Sequence, residues 1–223
     1  MIALLALGWL VLGGVLGLGI RRANVWVAPR EQVTAGFERW QVWGPPALAA
    51  LLFAAFAAKI GFHWRTLLVD SVWVAVLVQV IFFDFEHHLI LDRVLLPAAV
   101  LAILVSVFAP PPSWRMALLG GLFGGLFFLL IALVGGLLLR QEAMGFGDVK
   151  LVAFLGLILG LFRGDQLHFT SPLLTALLVG VVLGGLVSLV AVVFRLRKLA
   201  DAIAYGPFLA AGALITLFEL GPQ

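Results

Sequence analysis

The 223-residue sequence contains no cysteine, and this absence removes several kinds of chemistry at once. Disulfide bonds, thiolate catalysis and cysteine-bound zinc or iron–sulfur centres are excluded for this chain. Charge is also scarce, since only 11% of the residues are Asp, Glu, Lys or Arg, against about 25% in a typical soluble domain. In contrast, 64% of the residues are hydrophobic and the mean hydropathy is +1.20. This composition is typical of a protein embedded in a membrane.

Long apolar runs predict where the chain crosses the membrane. A helix needs about 20 apolar residues to cross ~30 Å of hydrocarbon, and charge or proline bounds each such run here. The predicted fold is all-α, a polytopic integral membrane helical bundle of about eight transmembrane helices. The predicted spans lie near residues 2–20, 45–62, 67–83, 94–109, 116–139, 149–163, 171–194 and 202–220. The first run lacks a small-residue cleavage site, so we expect it to remain as a helix.

The basic residues predict the orientation of these spans. With the N-terminus outside, ten of the 14 Lys and Arg residues fall on the cytoplasmic side and four outside, as the positive-inside rule requires. The ten are Arg21, Arg22, Arg30, Arg39, Arg93, Arg140, Lys150, Arg195, Arg197 and Lys198, and the four are Lys59, Arg65, Arg115 and Arg163. They are scattered at helix ends and form no phosphate-facing patch. We therefore expect a lipid membrane, and no nucleic acid, as a partner.

Small residues recur four positions apart within the predicted spans. This spacing lets two helix backbones approach closely in lipid, so it predicts helix packing. The pairs are Gly120 with Gly124, Gly121 with Gly125, Gly156 with Gly160, and Gly180 with Gly184.

Two acidic clusters, at residues 83–92 and 144–150, fall at predicted cytoplasmic helix boundaries. Asp84 is predicted to close one apolar helix and Asp148 to open another. Two carboxylates brought close at the membrane surface cannot both ionise easily and come to share one proton. The ionised carboxylate can then take a proton from water while the protonated one polarises a peptide carbonyl. This chemistry needs no metal and no covalent intermediate.

The residues around Asp148 allow two interpretations. Gly145 and Gly147 tolerate backbone approaches that a side chain would block, so a substrate strand could lie against them. Alternatively, glycine before an N-capping aspartate describes an ordinary turn into a helix. The second boundary aspartate, Asp84, favours the first interpretation.

The two clusters resemble the motifs of the type IV prepilin peptidase family, which are polytopic aspartyl proteases with a Gly-x-Gly-Asp signature. The segment from Asp84 to Asp92 is similar to the family's Asp-x-Asp-His-x-Leu-Leu-Pro-Asp, and the segment from Gly145 to Leu151 matches Gly-x-Gly-Asp-Val-Lys-Leu. The tail Ile203 to Ala210 resembles the family's Pro-Phe-Gly-Pro-Phe-Leu-Ala. The resemblance implies that Asp84 and Asp148 are catalytic. It also implies prepilin or pseudopilin substrates, cleaved at the cytoplasmic face of the inner membrane.

The sequence departs from the family at several places. Leu91 replaces a proline and Glu86 an aspartate, and neither change removes a catalytic atom. Many bacterial members carry two Cys-x-x-Cys pairs in a cytoplasmic domain associated with N-methylation of the product. This chain has none, so the sequence does not support methyltransferase activity. We expect residues 1–66 to form an N-terminal transmembrane region and residues 67–223 the peptidase-like domain.

Other functions fit the residues less well. His87 and His88 are adjacent, so they point about 100° apart on a helix and are poorly placed to hold one metal ion. No cofactor is expected. A presenilin-type protease would carry a Pro-Ala-Leu motif, which is absent. A transporter or an inactive structural subunit remains the alternative, although a transporter would favour charge near the bilayer midplane. No feature of the sequence specifies an oligomeric state.

Overall fold

The computed structural model describes residues 1–109, 111–139, 145–162, 171–194 and 204–221. Within these ranges the backbone forms eight α-helices, one short 3-10 helix and no strand. The α-helices are α1 (Ile2–Val27), α2 (Arg39–Ile60), α3 (Trp64–His87), α4 (Asp92–Phe108), α5 (Trp114–Leu139), α6 (Phe146–Leu159), α7 (Pro172–Val193) and α8 (Gly206–Leu220). Each predicted span corresponds to one of these helices, which confirms the predicted all-α fold.

Five helices of the described residues are long and apolar enough to cross a membrane by length and composition. They are α1 with the following 3-10 turn, α2, α3, α5 and α7, and α8 is a shorter apolar helix. The chain is therefore a multi-pass membrane protein.

The chain folds into two compact units. The first contains Met1–His88 and Leu217–Gln223, and the second contains Leu89–Thr216. Helices α1 to α3 thus belong to the first unit. Helices α4 to α7, with most of α8, belong to the second.

In the first unit, glycines let α1 pack closely along α2. A Cβ atom at Gly13 would lie 2.6 Å from the carbonyl oxygen of Ala49, and one at Gly17 would lie 2.7 Å from that of Pro45. No side chain fits at these contacts, so the two backbones approach as small-residue pairs allow in lipid. Gly13 and Gly17 share the four-residue spacing that the sequence analysis noted elsewhere and did not use here.

Helices α1 and α3 are joined by polar side chains. The indole Nε1 of Trp9 donates a hydrogen bond to Ser71 Oγ at 3.0 Å, and Gln79 Nε2 donates to Asn24 Oδ1 at 3.3 Å. Hydrogen bonds between membrane helices are worth about 0.6 kcal/mol on average. These bonds help to specify which face of α3 is turned toward α1.

In the second unit, α6 packs closely against α5. The backbones of Gly120 and Gly156 are in direct contact, and a Cβ atom at Gly121 would lie 2.9 Å from Leu157 Cδ2. Gly180 of α7 approaches Leu209 of α8 in the same way. The predicted packing role of the spaced glycines is therefore confirmed. Gly160 differs, because it ends α6 with a positive φ of 75°, a backbone conformation that glycine adopts at little cost.

The segment that follows the first predicted span is partly helical. The sequence analysis ended the first span at residue 20, but α1 continues to Val27, and Arg21 and Asn24 are buried. Helix α2 begins at Arg39 after a capping box, in which the Glu38 side chain accepts a backbone hydrogen bond and Gln41 Oε1 accepts one from the Glu38 N–H at 2.8 Å. The sequence analysis took charged residues as the boundaries of spans, whereas the charged Arg21 is packed inside the first unit.

Several residues used in the sequence analysis lie outside the described ranges: Arg140, Met144, Arg163, Arg195, Arg197, Lys198 and Ile203.

Candidate active site

Asp84 lies in the last turn of α3, in the first unit. The residue is only 5% exposed. Its backbone carbonyl accepts the N–H of His88 at 2.8 Å, and His88 has a left-handed φ of 52° that ends the helix. The predicted helix end at residue 83 is therefore one turn early. Asp84 sits inside the final turn, where the helical backbone fixes its position.

Aromatic packing supports this final turn. The Phe83 side chain is fully buried, and its ring centroid lies 4.6 Å from that of His87 in an edge-to-face arrangement. Such ring pairs add about 0.5–1.5 kcal/mol beyond their buried area. The Phe83 and His87 side chains of this turn thus pack against each other.

A buried ion pair lies two residues after Asp84. Arg21 Nη1 donates to Glu86 Oε2 at 3.2 Å, and the two side chains are only 8% and 4% exposed. Arg21 Nη2 also donates to the carbonyl of Gly36, and the Gly36 N–H donates to Glu86 Oε1. Both carboxylate oxygens of Glu86 therefore accept a hydrogen bond, as a buried charge requires.

Asp148 lies in the first turn of α6, in the second unit. Gly145 is the N-cap of this helix and makes no side-chain cap, and the Asp148 N–H donates to the Gly145 carbonyl at 3.1 Å. The alternative prediction that Asp148 is the N-cap is therefore wrong. A carboxylate in the first turn is nevertheless stabilised by the helix dipole. The Asp148 residue is half-buried.

The two signature glycines have different surroundings. A Cβ atom at Gly147 would lie 3.2 Å from the Cβ of Ile90, so this glycine allows close packing within the protein itself. At Gly145 the nearest atom of the described residues to such a Cβ would be Asp148 Oδ2, at 3.9 Å, and the residue is exposed. Of the two glycines, Gly145 has more space around it within the described part of the chain.

A second ion pair lies two residues after Asp148. Lys150 Nζ lies 2.8 Å from Asp92 Oδ1 and 2.7 Å from Asp92 Oδ2, which joins the start of α6 to the start of α4. The ammonium group also lies 5.0 Å from the centroid of the Phe146 ring. Unlike Glu86 and Arg21, these side chains are partly exposed, at 32% for Lys150 and 50% for Asp92.

We expect Lys150→Met to lower the free energy of unfolding by at most about 1 kcal/mol, because partly exposed ion pairs contribute little. Thermal unfolding of the purified protein in one detergent tests this value. Arg115→Met is a suitable control, since Arg115 is exposed and, among the described residues, stacks on the exposed Trp114 ring at the start of α5. A much larger loss for Lys150→Met would mean that the pair holds α4 and α6 together.

The described residues contain no group of three or more His, Asp or Glu side chains placed to hold a metal ion. The His87 Nε2 atom lies 3.6 Å from Glu86 Oε1. His88 occupies the left-handed position that ends α3. The His87 imidazole thus lies beside Glu86, whereas His88 ends the helix through its backbone.

Sequence reasoning missed the partners of Glu86. Arg21 and Gly36 are 65 and 50 positions away from it in the chain, and no local pattern links them. The available signal was indirect, because an arginine directly after an apolar run can be placed inside the fold when a carboxylate is available.

By its fold and candidate site, the chain belongs to the class of all-helical multi-pass membrane proteins. It carries one carboxylate in the last turn of α3 and another in the first turn of α6. Residues 71–189 match the family described as the type IV leader peptidase family. This range exceeds half of the 223 residues and contains Asp84, Gly145, Gly147 and Asp148. The chain belongs to the type IV leader peptidase family.

The chain is similar to curated proteins called prepilin leader peptidase/N-methyltransferase. It is 28% identical over 179 residues to the one from Dichelobacter nodosus, covering 79% of this chain and 58% of that protein. Identity is 32% over 171 residues with the Pseudomonas aeruginosa protein, covering 75% and 54%, and 31% over 171 residues with the Bacillus subtilis protein, covering 75% and 62%. The chain thus spans a little over half the length of these relatives. No solved structure matches it.

Proposed function

We propose that the protein is a membrane aspartic endopeptidase that removes the short basic leader of type IV prepilins or pseudopilins. The observation that carries this proposal is the family match over residues 71–189, which includes both aspartates and both glycines of the candidate site. The relatives, which are named for prepilin leader peptidase activity, support the same substrate class.

In this proposal Asp84 and Asp148 act on one peptide bond. The ionised carboxylate accepts a proton from water, and the water oxygen attacks the carbonyl carbon. The protonated carboxylate donates its hydrogen to the carbonyl oxygen, so the intermediate carries little charge. Collapse of the intermediate breaks the C–N bond, and a proton passes to the leaving nitrogen. All atoms come from the peptide and one water molecule.

The surroundings of the two aspartates support this chemistry in two ways. Asp84 is buried within a rigid helical turn, which limits its motion relative to the bound peptide. Asp148 is in the first turn of α6, where the backbone N–H groups favour a negative charge. The two carboxylates therefore differ in environment, which suits an acid and a base with separate tasks.

We place the reaction at the cytoplasmic face of the inner membrane. The basic residues support this orientation, since Arg22 is exposed near the end of α1, Arg30 in the following 3-10 turn and Arg39 at the start of α2. Arg93 is exposed at the start of α4. Exposed arginines of this kind accumulate on the cytoplasmic side of membrane proteins.

The substrate in this proposal has a short basic leader, a glycine before the cut and an apolar helix after it. The space that the described residues leave beside Gly145 is consistent with an extended peptide backbone there. We assign the peptidase function to residues 67–223 and regard residues 1–66 as an N-terminal transmembrane region. The absence of cysteine gives no support for N-methylation by this chain.

The proposal is tested by producing the protein together with a prepilin in membranes that lack other prepilin peptidases. We expect the prepilin to lose its leader after the glycine, as measured by the mass of the product. The same mass shows whether a methyl group is added. A prepilin with the glycine replaced by leucine is the control and should stay uncleaved. If no prepilin or pseudopilin is cut by well-expressed protein, the alternatives are a transporter or an inactive structural subunit.

A further inference from the structure

We propose that Arg21, Glu86 and the backbone of Gly36 form a positioning cluster that fixes the last turn of α3 and thereby the Asp84 carboxylate. This inference rests on the proposed function. It gives a role to Arg21 and Gly36, which lie before the family match at residues 71–189.

The three residues form a closed set of hydrogen bonds. The guanidinium of Arg21 donates through Nη1 to Glu86 and through Nη2 to the carbonyl of Gly36, and the N–H of Gly36 donates to the other oxygen of Glu86. Each member is therefore held by the other two. The planar fork of an arginine suits this geometry, whereas a lysine has its donors on a single nitrogen atom and lacks this fork.

Burial makes the cluster rigid. The Arg21 and Glu86 side chains are 8% and 4% exposed, so water cannot replace a broken contact. The guanidinium carbon also lies 5.5 Å from the centroid of the Phe37 ring, which limits its motion further. Three separate segments meet here: α1, the loop between residues 32 and 38, and the end of α3.

The location of Glu86 makes this a positioning device for Asp84. Residues two apart on a helix point about 200° away from each other. The cluster therefore holds α3 on the side opposite to Asp84. A change in the rotation of the last turn would move the aspartate carboxylate directly. A misplacement of about 1 Å can lower a rate by about 10²-fold.

The test is a double-mutant cycle with Arg21→Met, Glu86→Gln and the double variant. Each single change leaves one buried charge without its partner, whereas the double variant leaves none. The matched control is Lys59→Met, because Lys59 forms a longer and more exposed pair with Glu219 in the same unit, at 3.9 Å. The measurements are kcat and KM for a purified prepilin, thermal unfolding, and hydrogen exchange of the amides in residues 32–38 without substrate.

We expect each single variant to lower kcat by about 10-fold or more with little change in KM, as loss of alignment predicts. The double variant should be no worse than the poorer single variant, and Lys59→Met should behave as wild type. Exchange in residues 32–38 should accelerate in both single variants. If the single variants fail to fold, the double variant decides, since it lacks a buried unpaired charge and should still show a reduced kcat.

Unchanged kcat in the folded single variants, or in the folded double variant, would overturn the proposal. The proposal would also be overturned if the loss of activity in each variant were fully explained by the smaller amount of folded protein in the unfolding measurement. Wild-type protein that cleaves no prepilin would contradict the proposed function. In that case, faster amide exchange in the variants would limit the cluster to a role in folding and overturn its positioning role. Unchanged amide exchange would contradict the cluster itself.

Discussion

Replacing Asp84 or Asp148 by asparagine is expected to reduce the rate of leader removal by at least about 10²-fold, the usual contribution of a positioned acid or base. Asparagine keeps the size and shape of the side chain but can neither accept nor deliver the proton that water must lose. Cleavage of a purified prepilin by enzyme in detergent, followed by product mass over time, measures the effect.

The asparagine variants need a control for folding. Asp84 is buried, and a neutral amide of equal size avoids the cost of a dry charge, so we expect the variants to be recovered as folded protein. Glu219→Gln is the matched carboxylate control, because its side chain is 74% exposed near the end of α8. It should retain wild-type activity. A folded Asp84→Asn or Asp148→Asn enzyme with a rate near that of wild type would remove that residue from the mechanism.

The second large effect is expected for Gly156→Ala in α6. The backbone of Gly156 contacts that of Gly120, so an added methyl group would overlap backbone atoms that cannot turn aside. The helices must separate, and overpacking of this kind costs about 1–3 kcal/mol or more. Because α6 carries Asp148 at its start, we expect loss of activity together with a lower unfolding temperature in detergent.

Whether Gly156→Ala lowers or raises stability distinguishes the effect of packing from the effect of helix propensity. Alanine normally favours a helix over glycine by about 0.8–1.0 kcal/mol. Gly185→Ala in α7 provides the comparison, since no atom of the described residues lies within 4 Å of a Cβ atom at that position. That change should be neutral or stabilising. Equal behaviour of Gly156→Ala and Gly185→Ala would show that the contact between α5 and α6 is looser than described.

The number of helices could be predicted from the sequence because lipid imposes a length on each apolar run. Their ends could not, as α1 shows. Arg21 was read as the end of a span, yet the helix continues to Val27 because Glu86 and Gly36 satisfy the guanidinium. The energy that allows a charge inside the fold comes from partners far away in the chain.

The spaced glycines predicted helix contacts for a reason that depends only on neighbouring residues of the same helix. Residues four apart share a face of a helix, so Gly156 and Gly120 could be predicted to lie at helix contacts. Which helices meet is a tertiary property and was not predicted. Gly160 had the same spacing but ends α6, since spacing alone does not distinguish a packing glycine from a terminating one.

The candidate site was found from two motifs, but its surroundings were not. Lys150 was counted only among the basic residues of the predicted cytoplasmic side, and it binds Asp92 of α4. Gly147 was assigned to substrate, and it also packs against Ile90. Both contacts join segments more than 50 positions apart in the sequence, which a local motif cannot reveal. The catalytic roles of Asp84 and Asp148 stay a prediction.

The most direct test of the central claim compares wild type, Asp84→Asn, Asp148→Asn and the double variant in single-turnover cleavage of one purified prepilin. If the two carboxylates act as one unit, each single change should reduce the rate about as much as the double change, as residues that act together do. Wild type should release the leader after the glycine. Independent losses that multiply in the double variant, or cleavage that survives in all three variants, would contradict an aspartyl pair.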